Sequence, residues 1–476
     1  MWIFALRVVD RFLRVVRTIV LARLLSPDDF GLMGIAILAI NMLETFSQTG
    51  IETALVHKKE NIEAYLDIAW TIQVTRSVIL FVLLYFGAPL VAHFFNSPQA
   101  LRVVRILAFL ELFRGMKNIG TVYFQKELRF DKQFVLGFSG IAVNIAVSLT
   151  LAFVLRNVWA LVYGSLSGAF VVLIMSYILQ PYKPRIRLET LKIKELLDFG
   201  KWLLGSSILG FLITQGDDIF VGKLLGITAL GLYQIAYHFS NAPATEITHV
   251  ISRVTFPVYS KIQDNIPRLR DAYFNVLQLT ASLSFPLAAL IFVMAADFTK
   301  IFLGDKWMSM VPAMRVLAIW GLIRSVGATA GPFFYAIGRP KVIAKLQFLQ
   351  LILLISTIYP LTVKWGILGT SLSVVFAALV PNLAVYYMVT QALGCRYYDF
   401  WRMVLLPGFG IMTMYIVLMI VRVYISGAES IANFFVMAIL GLAVYMATII
   451  VLDRLSNRNI SRIIQEYLFD PIGRFK

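Results

Sequence analysis

Apolar residues follow one another along the chain in runs of roughly 18–25, the length that carries an α-helix across a hydrocarbon core of about 30 Å. Short polar breaks separate these runs. The strict alternation of a membrane β-strand is absent from the sequence. The pattern predicts an all-α membrane protein with about 14 transmembrane helices. The predicted spans are 2–25, 30–50, 66–92, 101–123, 134–155, 158–180, 200–225, 229–256, 272–296, 311–335, 342–363, 366–390, 404–425 and 431–452.

Composition supports the same class of protein. Of the 476 residues, 59% are hydrophobic and 14% are charged, whereas soluble domains have about 45–50% apolar and about 25% charged residues. The net charge of +17 would favour nucleic acid as a partner of a soluble protein. Here we attribute it to membrane topology and expect no nucleic acid. Cys395 is the single cysteine and the four histidines are scattered, so we expect neither a disulfide framework nor a metal site.

Lysine and arginine fall mainly on one side of the predicted topology. The even-numbered breaks, counted from the N-terminus, and the C-terminal tail carry most of them. The odd-numbered breaks carry only Arg156, Lys300, Lys306 and Lys364. Because cytoplasmic loops of membrane proteins are enriched in basic residues, we predict that both termini are cytoplasmic. The basic segment 181–195 is predicted to be a linker on the lipid headgroups.

The chain contains an internal repeat. Residues 19–36 (IVLARLLSPDDFGLMGIA) and 219–236 (IFVGKLLGITALGLYQIA) share seven identical positions at an offset of 200. Two further matches follow in the same order, with offsets of 210 and 206, and three collinear matches are not expected by chance. These matches are RILAFLELFR (105–114) with RVLAIWGLIR (315–324), and WALVYGSLSGAF (159–170) with WGILGTSLSVVF (365–376).

The repeat predicts the domain organisation. We expect two six-helix bundles, 1–195 and 196–390, followed by two additional helices and a cytoplasmic tail in 391–476. Six is an even number, so both bundles enter the membrane from the same side and are related by an axis along the membrane normal. Parallel repeats of this kind are typical of transporters, which bind their substrate between the two halves.

Four arginines lie on one stripe of span 1. Spacings of four, three and three residues put them on the same helical face. A basic residue at a helix centre costs about 2.5–3.5 kcal/mol on insertion scales, so it persists where it meets water, a partner or the interface. We predict a cationic cavity wall, and the alternative is a snorkelling helix end. The four residues are Arg7, Arg11, Arg14 and Arg17.

Arg114 and Arg324 lie inside predicted spans at equivalent positions of the repeat. We predict that their guanidinium groups face a central cleft and bind substrate. The alternative is two structural arginines, each paired within its own bundle, for instance with Glu111 or Glu44. Weaker cavity candidates are Arg76, Arg253 and Glu246, while Arg422 is interpreted as snorkelling.

Asp217 and Asp218 are acidic residues inside span 7, and the repeat aligns them with Arg17 and Thr18. Opposite charges therefore lie at the same depth in the two halves. We predict that Arg17 and Asp217 form a gate contact that closes the outer side. The alternative role of the aspartates is ion coupling, and the sequence leaves both Na⁺ and H⁺ open.

The charges predict the chemistry of the substrate. Arginine binds phosphate and carboxylate through paired hydrogen bonds. A stripe of arginines with few acids therefore favours an anionic substrate, such as a diphosphate joined to sugars on a lipid. Such a headgroup cannot cross hydrocarbon unaided, and its outward movement gains about 2.3 kcal/mol per charge per 100 mV.

Two segments resemble a known family. The stretch 18–60, which includes LARLLSPDDFG, resembles the opening of bacterial polysaccharide flippases of the Wzx type, and FGKWLLGSSILGFLITQGDDIFVGKLLG (199–226) is similar to their seventh span. These flippases belong to the multidrug/oligosaccharidyl-lipid/polysaccharide exporter superfamily. The resemblance covers nearly the whole chain. By the repeat Met1 aligns with Lys201, and relatives usually have a longer lead, which leaves open whether the natural start lies upstream.

The resemblance implies a fold, a substrate and a location. It implies two six-helix lobes in a V shape, two C-terminal helices and alternating access in the bacterial inner membrane. It implies the flipping of undecaprenyl-diphosphate-linked oligosaccharide to the outer leaflet for surface polysaccharide, such as lipopolysaccharide or exopolysaccharide. A polymerase and other assembly proteins are implied as partners, beside membrane lipids. The cavity arginines of such proteins would correspond to Arg7, Arg11, Arg14, Arg114 and Arg324.

Two other functions are alternatives to this one. A related exporter of a peptidoglycan lipid precursor or a drug would share the fold, but a drug exporter should tolerate loss of Arg114 and Arg324. A membrane polymerase or ligase would need a sizeable outer loop with catalytic groups. The longest outer break, about 297–311, is too short for such a domain. We therefore expect a transporter rather than an enzyme.

Overall fold

The described part of the chain is helical and suited to a membrane. The computed structural model describes residues 2–57, 62–425 and 430–456, and the side chains of 2–11, 190–203 and several later residues, among them Glu246 and Arg253, lie outside this description. All regular structure in the described residues is helical. Ten of its segments are long and apolar enough to cross a membrane. The predicted all-α membrane fold is therefore confirmed.

Contacts divide the chain into two compact units, one up to Gln234 and one from Ile235 onward. The predicted bundle boundary at residue 195 rests on the repeat rather than on compactness and stays a prediction. The helices of the first unit are α1 (Trp2–Leu24), α2 (Pro27–Phe46), α3 (Ile51–His57), α4 (Glu63–Phe94), α5 (Ala100–Leu107), α6 (Phe109–Gly115), α7 (Val122–Lys126), α8 (Phe130–Leu155), α9 (Trp159–Leu179) and the first part of α10 (Thr190–Ile262).

The second unit has an aromatic core. The rings of Tyr259, Tyr273 and Phe333 are fully buried, and Tyr386 stacks on Phe400 with ring centroids 4.2 Å apart. The helices after α10 are α11 (Ile266–Phe298), α12 (Val311–Gly327), α13 (Ala330–Ala336), α14 (Pro340–Ala392), α15 (Tyr397–Ile425) and α16 (Ile431–Ser456).

The two C-terminal helices α15 and α16 pack against α11. Nη2 of Arg422 lies 2.9 Å from Oδ1 of Asp297, and both side chains are about one third exposed. This ion pair ties α15 to α11. The snorkelling of Arg422 stays a prediction.

Two glycines break long helices at predicted span boundaries. Gly226 in α10 has φ 85° and Gly366 in α14 has φ 58°, a region that glycine adopts readily. At 1.5 Å per residue, the 53 residues of α14 would extend about 80 Å, more than twice a hydrocarbon core of about 30 Å. This length agrees with the two spans predicted between Pro340 and Ala392. The total of 14 spans stays a prediction.

The sequence LSPDDFG fixes the start of α2. The hydroxyl of Ser26 accepts a hydrogen bond from the backbone N–H of Asp29, and the carboxylate of Asp29 accepts one from the backbone N–H of Ser26. Pro27 occupies the first helical turn, where its missing N–H costs nothing. These residues place the beginning of α2, and with it the face that meets α10.

The segment 181–195 is predicted to rest on lipid headgroups, and its part before α10, residues 181–189, is hydrogen-bonded to α4. Oδ1 of Asp67 accepts hydrogen bonds from the hydroxyl of Tyr182 at 2.6 Å and from the backbone N–H of Arg185 at 2.9 Å. The hydroxyl of Thr71 accepts one from the backbone N–H of Arg187. Burial and the neighbouring Asp67 raise the pKa of the Tyr182 hydroxyl above its ordinary value, so it stays protonated and keeps donating.

Candidate functional site

Helices α2 and α10 approach each other closely at two glycines. A Cβ atom on Gly31 would lie 2.0 Å from the carbonyl oxygen of Ile227, and one on Gly231 would lie 2.0 Å from the carbonyl oxygen of Pro27. Gly31 and Gly231 are equivalent in the repeat, as are Pro27 and Ile227. Reciprocal contacts between equivalent residues are the mark of a two-fold relation. The first unit therefore contains a local pseudo-two-fold axis between these two segments.

Asp28 and Thr228 lie beside this axis. They are equivalent at the offset of 200, and the hydroxyl of Thr228 donates a hydrogen bond to Oδ1 of Asp28. Asp28 belongs to the first turn of α2, where the positive end of the helix favours a carboxylate. The contact joins the start of α2 to the turn of α10 that follows Gly226.

The predicted contact between Arg17 and Asp217 is not formed in this conformation. Oδ2 of Asp217, which is 2% exposed, accepts a hydrogen bond of 2.6 Å from the hydroxyl of Tyr233. Nε of Arg17 donates to Oγ of Ser148 at 3.0 Å, because the side chain points from α1 toward α8. Gating or ion coupling by Arg17, Asp217 and Asp218 stays a prediction.

The arginine stripe of α1 is only partly described. The helix is continuous over Trp2–Leu24, so the backbone places all four arginines on the expected stripe. The side chains of Arg7 and Arg11 lie outside the described residues, while the side chain of Arg14 is exposed. The cavity role of Arg7, Arg11 and Arg14 stays a prediction.

Arg114 forms an ion pair inside the first unit. Its Nη1 lies 2.6 Å from Oε1 of Glu44 and 3.4 Å from Oε1 of Glu111. Pairing of Arg114 with Glu44 or Glu111 is the alternative that the sequence left open beside a role in a central cleft. The Arg114 side chain nevertheless remains 49% exposed, and within the described residues its other guanidinium nitrogens have no hydrogen-bond partner. One edge of the group is therefore open to a ligand.

Arg76 of α4 holds the carboxyl end of α2. Its Nε donates to the carbonyl oxygen of Ser47 at 2.8 Å, and its Nη2 donates to that of Glu44 at 2.9 Å. A cation stabilises the unpaired carbonyl groups at a helix end. Nε2 of Gln73, one turn earlier, donates to the carbonyl oxygen of Arg114 at 3.1 Å. Helix α4 thus positions both partners of the Glu44–Arg114 pair, and Arg76 acts as a support rather than a cavity wall.

Arg324 in the second unit has no carboxylate partner within the described residues. Its Nη1 donates to the hydroxyl of Thr245 at 3.3 Å, and its guanidinium carbon lies 5.0 Å from the ring centroid of Trp320. The side chain is half-buried in a segment apolar enough to cross a membrane. A guanidinium held by a hydroxyl and a ring keeps its positive charge available to an anion.

The repeat continues beyond residues 36 and 236. Asn41 and Asn241 are identical at the offset of 200, and so are Thr45 and Thr245. Arg114 and Arg324 therefore reach the same turn of equivalent helices, one meeting a carboxylate and the other a hydroxyl. Continuing the alignment to residue 245 would have indicated Thr245 as the neighbour of Arg324.

A cavity of about 340 Å³ opens between the end of α2 and the first part of α10. By the predicted repeat these helices belong to different bundles, although all the lining residues lie in the first unit. The carboxylate of Glu44 joins the cavity to Arg114. Amide and hydroxyl side chains at these positions carry no charge, and the sequence analysis missed them. The lining residues are Asn41, Glu44, Thr45, Gln48, Ser207, Phe211, Thr214 and Gln215.

Metal ligands are not clustered in the part of the chain that the structure describes. No three His, Cys, Asp or Glu side chains come together there in a way that could hold a metal ion. Cys395 is a free thiol between α14 and α15.

Solved structures share the fold of this chain. The structure of the lipid II flippase MurJ in an inward closed conformation matches with a TM-score of 0.79 at 15% identity, covering 96% of this chain and 100% of that one. An inward-facing MATE family multidrug transporter of the MOP superfamily matches with a TM-score of 0.62 at 18% identity, covering 81% of this chain and 95% of that one. The fold is therefore that of these transporters.

Sequence comparison gives the family. The chain is 26% identical over 404 residues to the lipopolysaccharide biosynthesis protein WzxC of Escherichia coli K12, covering 83% of this chain and 81% of that protein. A family profile described as "Polysaccharide biosynthesis protein" matches residues 20–312, which is more than half of the chain. The chain is a multi-pass membrane protein that belongs to this polysaccharide biosynthesis family.

Proposed function

We propose that this chain is a flippase that moves undecaprenyl-diphosphate-linked oligosaccharide from the cytoplasmic to the outer leaflet by alternating access. Family membership supports a role in polysaccharide biosynthesis, and the relative WzxC is named for lipopolysaccharide biosynthesis. The fold is shared with the lipid II flippase MurJ, whose name describes lipid transport. The chain is proposed to act as a transporter without catalysis and without a bound cofactor.

The observation that carries this function is the state of Arg324. A guanidinium inside a membrane helix is unfavourable unless it meets water, a partner or a ligand. Arg324 is held by Thr245 and Trp320, and no described carboxylate neutralises it. A diphosphate supplies the acceptor oxygens that an arginine binds through paired hydrogen bonds. We assign diphosphate binding to Arg324, and Arg114, whose guanidinium has an open edge, is a separate candidate in the first unit.

Location and partners follow from the proposed function. The protein is placed in the bacterial cytoplasmic membrane with both termini in the cytoplasm, as the distribution of lysine and arginine predicts. Its substrate would be delivered by the enzymes that build the oligosaccharide on its lipid. A polymerase and other assembly proteins would use the product on the outer face.

The competing function is export of a peptidoglycan lipid precursor or a drug. The structural likeness to MurJ and to a MATE transporter is at 15% and 18% identity and shows the fold alone. Substrate choice therefore has to be read from the charges. Arg324 would repel a cationic drug and attract a lipid-linked diphosphate, so its charge argues against a drug but does not separate the two kinds of lipid-linked substrate.

The test is transport of a lipid-linked oligosaccharide by purified protein in vesicles and in a deletion strain without another flippase. We expect the wild type to flip the lipid and to restore surface polysaccharide. Arg324→Ala should lower flipping about tenfold or more, since hydrogen bonds to charged groups contribute about 1.5–3 kcal/mol. The matched control is Arg339→Ala, which removes an exposed arginine of the same unit. Normal surface polysaccharide in the deletion strain would contradict the proposal.

A further inference from the structure

The cavity between α2 and α10 differs in chemistry from the surroundings of Arg324. Its volume of about 340 Å³ is within the range of small-molecule sites, about 300–1,000 Å³. None of the described side chains that line it is basic. Its one charged group is the carboxylate of Glu44, which is paired with Arg114. The cavity is therefore poorly suited to a phosphate.

Three amide side chains line the cavity with unused hydrogen-bonding groups. Oε1 of Gln48 accepts a hydrogen bond of 2.6 Å from the hydroxyl of Ser207, and Oε1 of Gln215 accepts a long one of 3.5 Å from Asn41. In the described residues, the amide nitrogens of Gln48 and Gln215 have no acceptor, and the carbonyl oxygen of Asn41 has no donor. Both donors and acceptors are thus available to a ligand.

Hydroxyl groups add further hydrogen-bonding atoms to the cavity wall. The hydroxyl of Thr214 donates to the carbonyl oxygen of Gly210 at 2.7 Å and keeps its lone pairs for a ligand donor. Thr45 lines the cavity one residue after Glu44. A sugar hydroxyl donates and accepts at once, so it matches a wall that offers both. A phosphate only accepts, and it would leave the carbonyl of Asn41 unpaired.

The remaining wall is aromatic. Phe211 lines the cavity and packs edge-to-face on Phe46, with ring centroids 5.8 Å apart and planes at 75°. An apolar surface beside convergent polar groups is the usual make-up of a small-molecule site. It suits the C–H face of a sugar ring, whose hydroxyl groups point outward to the amides.

We propose that this cavity is a glycan subsite, which binds a neutral sugar residue of the transported substrate while the diphosphate is held elsewhere. The inference rests on the proposed function, since that function supplies a substrate with both parts. The lining residues lie near the end of α2, which the predicted topology places in the cytoplasmic half of the membrane. A glycan subsite there would load the oligosaccharide from the cytoplasm.

The test is saturation-transfer difference NMR on the full chain in detergent micelles. The probes are the methyl glycosides of glucose, galactose and mannose, with methyl glucuronide as the anionic counterpart. We expect signals from at least one neutral glycoside and weaker signals from the glucuronide, because the lining offers its carboxylate no basic side chain. Gln48→Met and Gln215→Met should each lower the neutral signal at least about threefold. Glu44→Gln should raise the glucuronide signal.

Controls separate binding from folding. Gln133→Met removes an exposed amide of the same unit and should bind glycosides like the wild type. Thr45→Val keeps the side-chain shape and provides a second test if a glutamine variant fails to fold. Wild-type signals from folded Gln48→Met and Gln215→Met, or no glycoside signal from the wild type, would overturn the subsite. Glycoside binding that the variants lose, in a protein that flips no lipid, would support the subsite and contradict the proposed function.

Discussion

Arg114 and Arg324 occupy equivalent positions of the repeat, but among the described residues only Arg114 is paired with a carboxylate. The two repeats thus have an arginine at the same position, but its neighbour is a carboxylate in one repeat and a hydroxyl in the other. Glu44 partly neutralises Arg114, so we expect Arg324 to be the stronger site for an anion.

Thr245→Glu should neutralise Arg324. The new carboxylate would take the place of the hydroxyl that accepts from Nη1, and an ion pair would form in a partly buried setting. We expect flipping of lipid-linked oligosaccharide to fall about tenfold, in line with about 1.5 kcal/mol of lost charged hydrogen bonding. The control is Thr245→Gln, which has the same size without the charge. Equal rates for the two variants would show that the charge of Arg324 is not used.

Gly31→Ala and Gly231→Ala should open the contact between α2 and α10. Each methyl group would fall 2.0 Å from a backbone carbonyl oxygen, so the helices must separate. Overpacking costs about 1–3 kcal/mol, which shifts a two-state population about 5- to 150-fold. The measurement is maleimide labelling of Thr228→Cys from outside, in a background with Cys395→Ser.

The matched control for these glycines is Gly137→Ala. A Cβ atom on Gly137 would have no atom within 4 Å, so only the helix propensity changes. Maleimide labelling should then equal that of the protein that carries only Thr228→Cys and Cys395→Ser. Unchanged labelling in Gly31→Ala and Gly231→Ala as well would mean that the close approach does not hold the outer side shut.

Arg76→Ala should destabilise the end of α2. The arginine donates hydrogen bonds to two backbone carbonyl groups there. A hydrogen bond to a charged group contributes about 1.5–3 kcal/mol to stability. We expect a lower thermal unfolding temperature in detergent, together with a misplaced Glu44–Arg114 pair and slower flipping. Arg76→Lys, which keeps the charge and one donor direction, should recover part of the stability. A variant as stable as the wild type would contradict the supporting role of Arg76.

Asp67→Ala should release the segment 181–189 from α4. The carboxylate accepts hydrogen bonds from Tyr182 and from the backbone of Arg185, and Ala offers no acceptor. Trypsin should then cleave after Arg185 or Arg187 severalfold faster than in the wild type. Cleavage is expected in inside-out vesicles and not in right-side-out vesicles, because the segment is predicted to be cytoplasmic. Cleavage only from the outside would reverse the predicted topology.

The sequence was sufficient for the fold because hydrophobic length and helix-breaking glycines are local signals. The predicted boundaries 225/229 and 363/366 coincide with Gly226 and Gly366 for that reason. Periodicity also placed Arg17 on a stripe of α1, but it could not tell which neighbouring helix the stripe faces. Ser148 lies 131 residues away in the sequence, and no local pattern links it to Arg17.

The uncharged polar residues that line the cavity could not be predicted as a site from the sequence. Gln48 and Gln215 are single amides in apolar helices, where a polar residue is as often structural as functional. Their meaning depends on being brought together across two helices, which only the packing of α2 on α10 reveals. Charged residues such as Arg324 stood out because their presence in a membrane is unfavourable by itself.

The contact of Asp28 with Thr228 has a consequence for ancestry. A homodimer of two identical copies of this segment would set residue 28 against its own copy across the axis. Two carboxylates at that distance repel each other, so an acid at this position would weaken such a dimer. A duplicated gene in a single polypeptide removes that restriction, since one copy can keep the acid while the other changes to a hydroxyl donor. The hydrogen bond from Thr228 to Asp28 is therefore an interaction that a dimer of identical copies could not make.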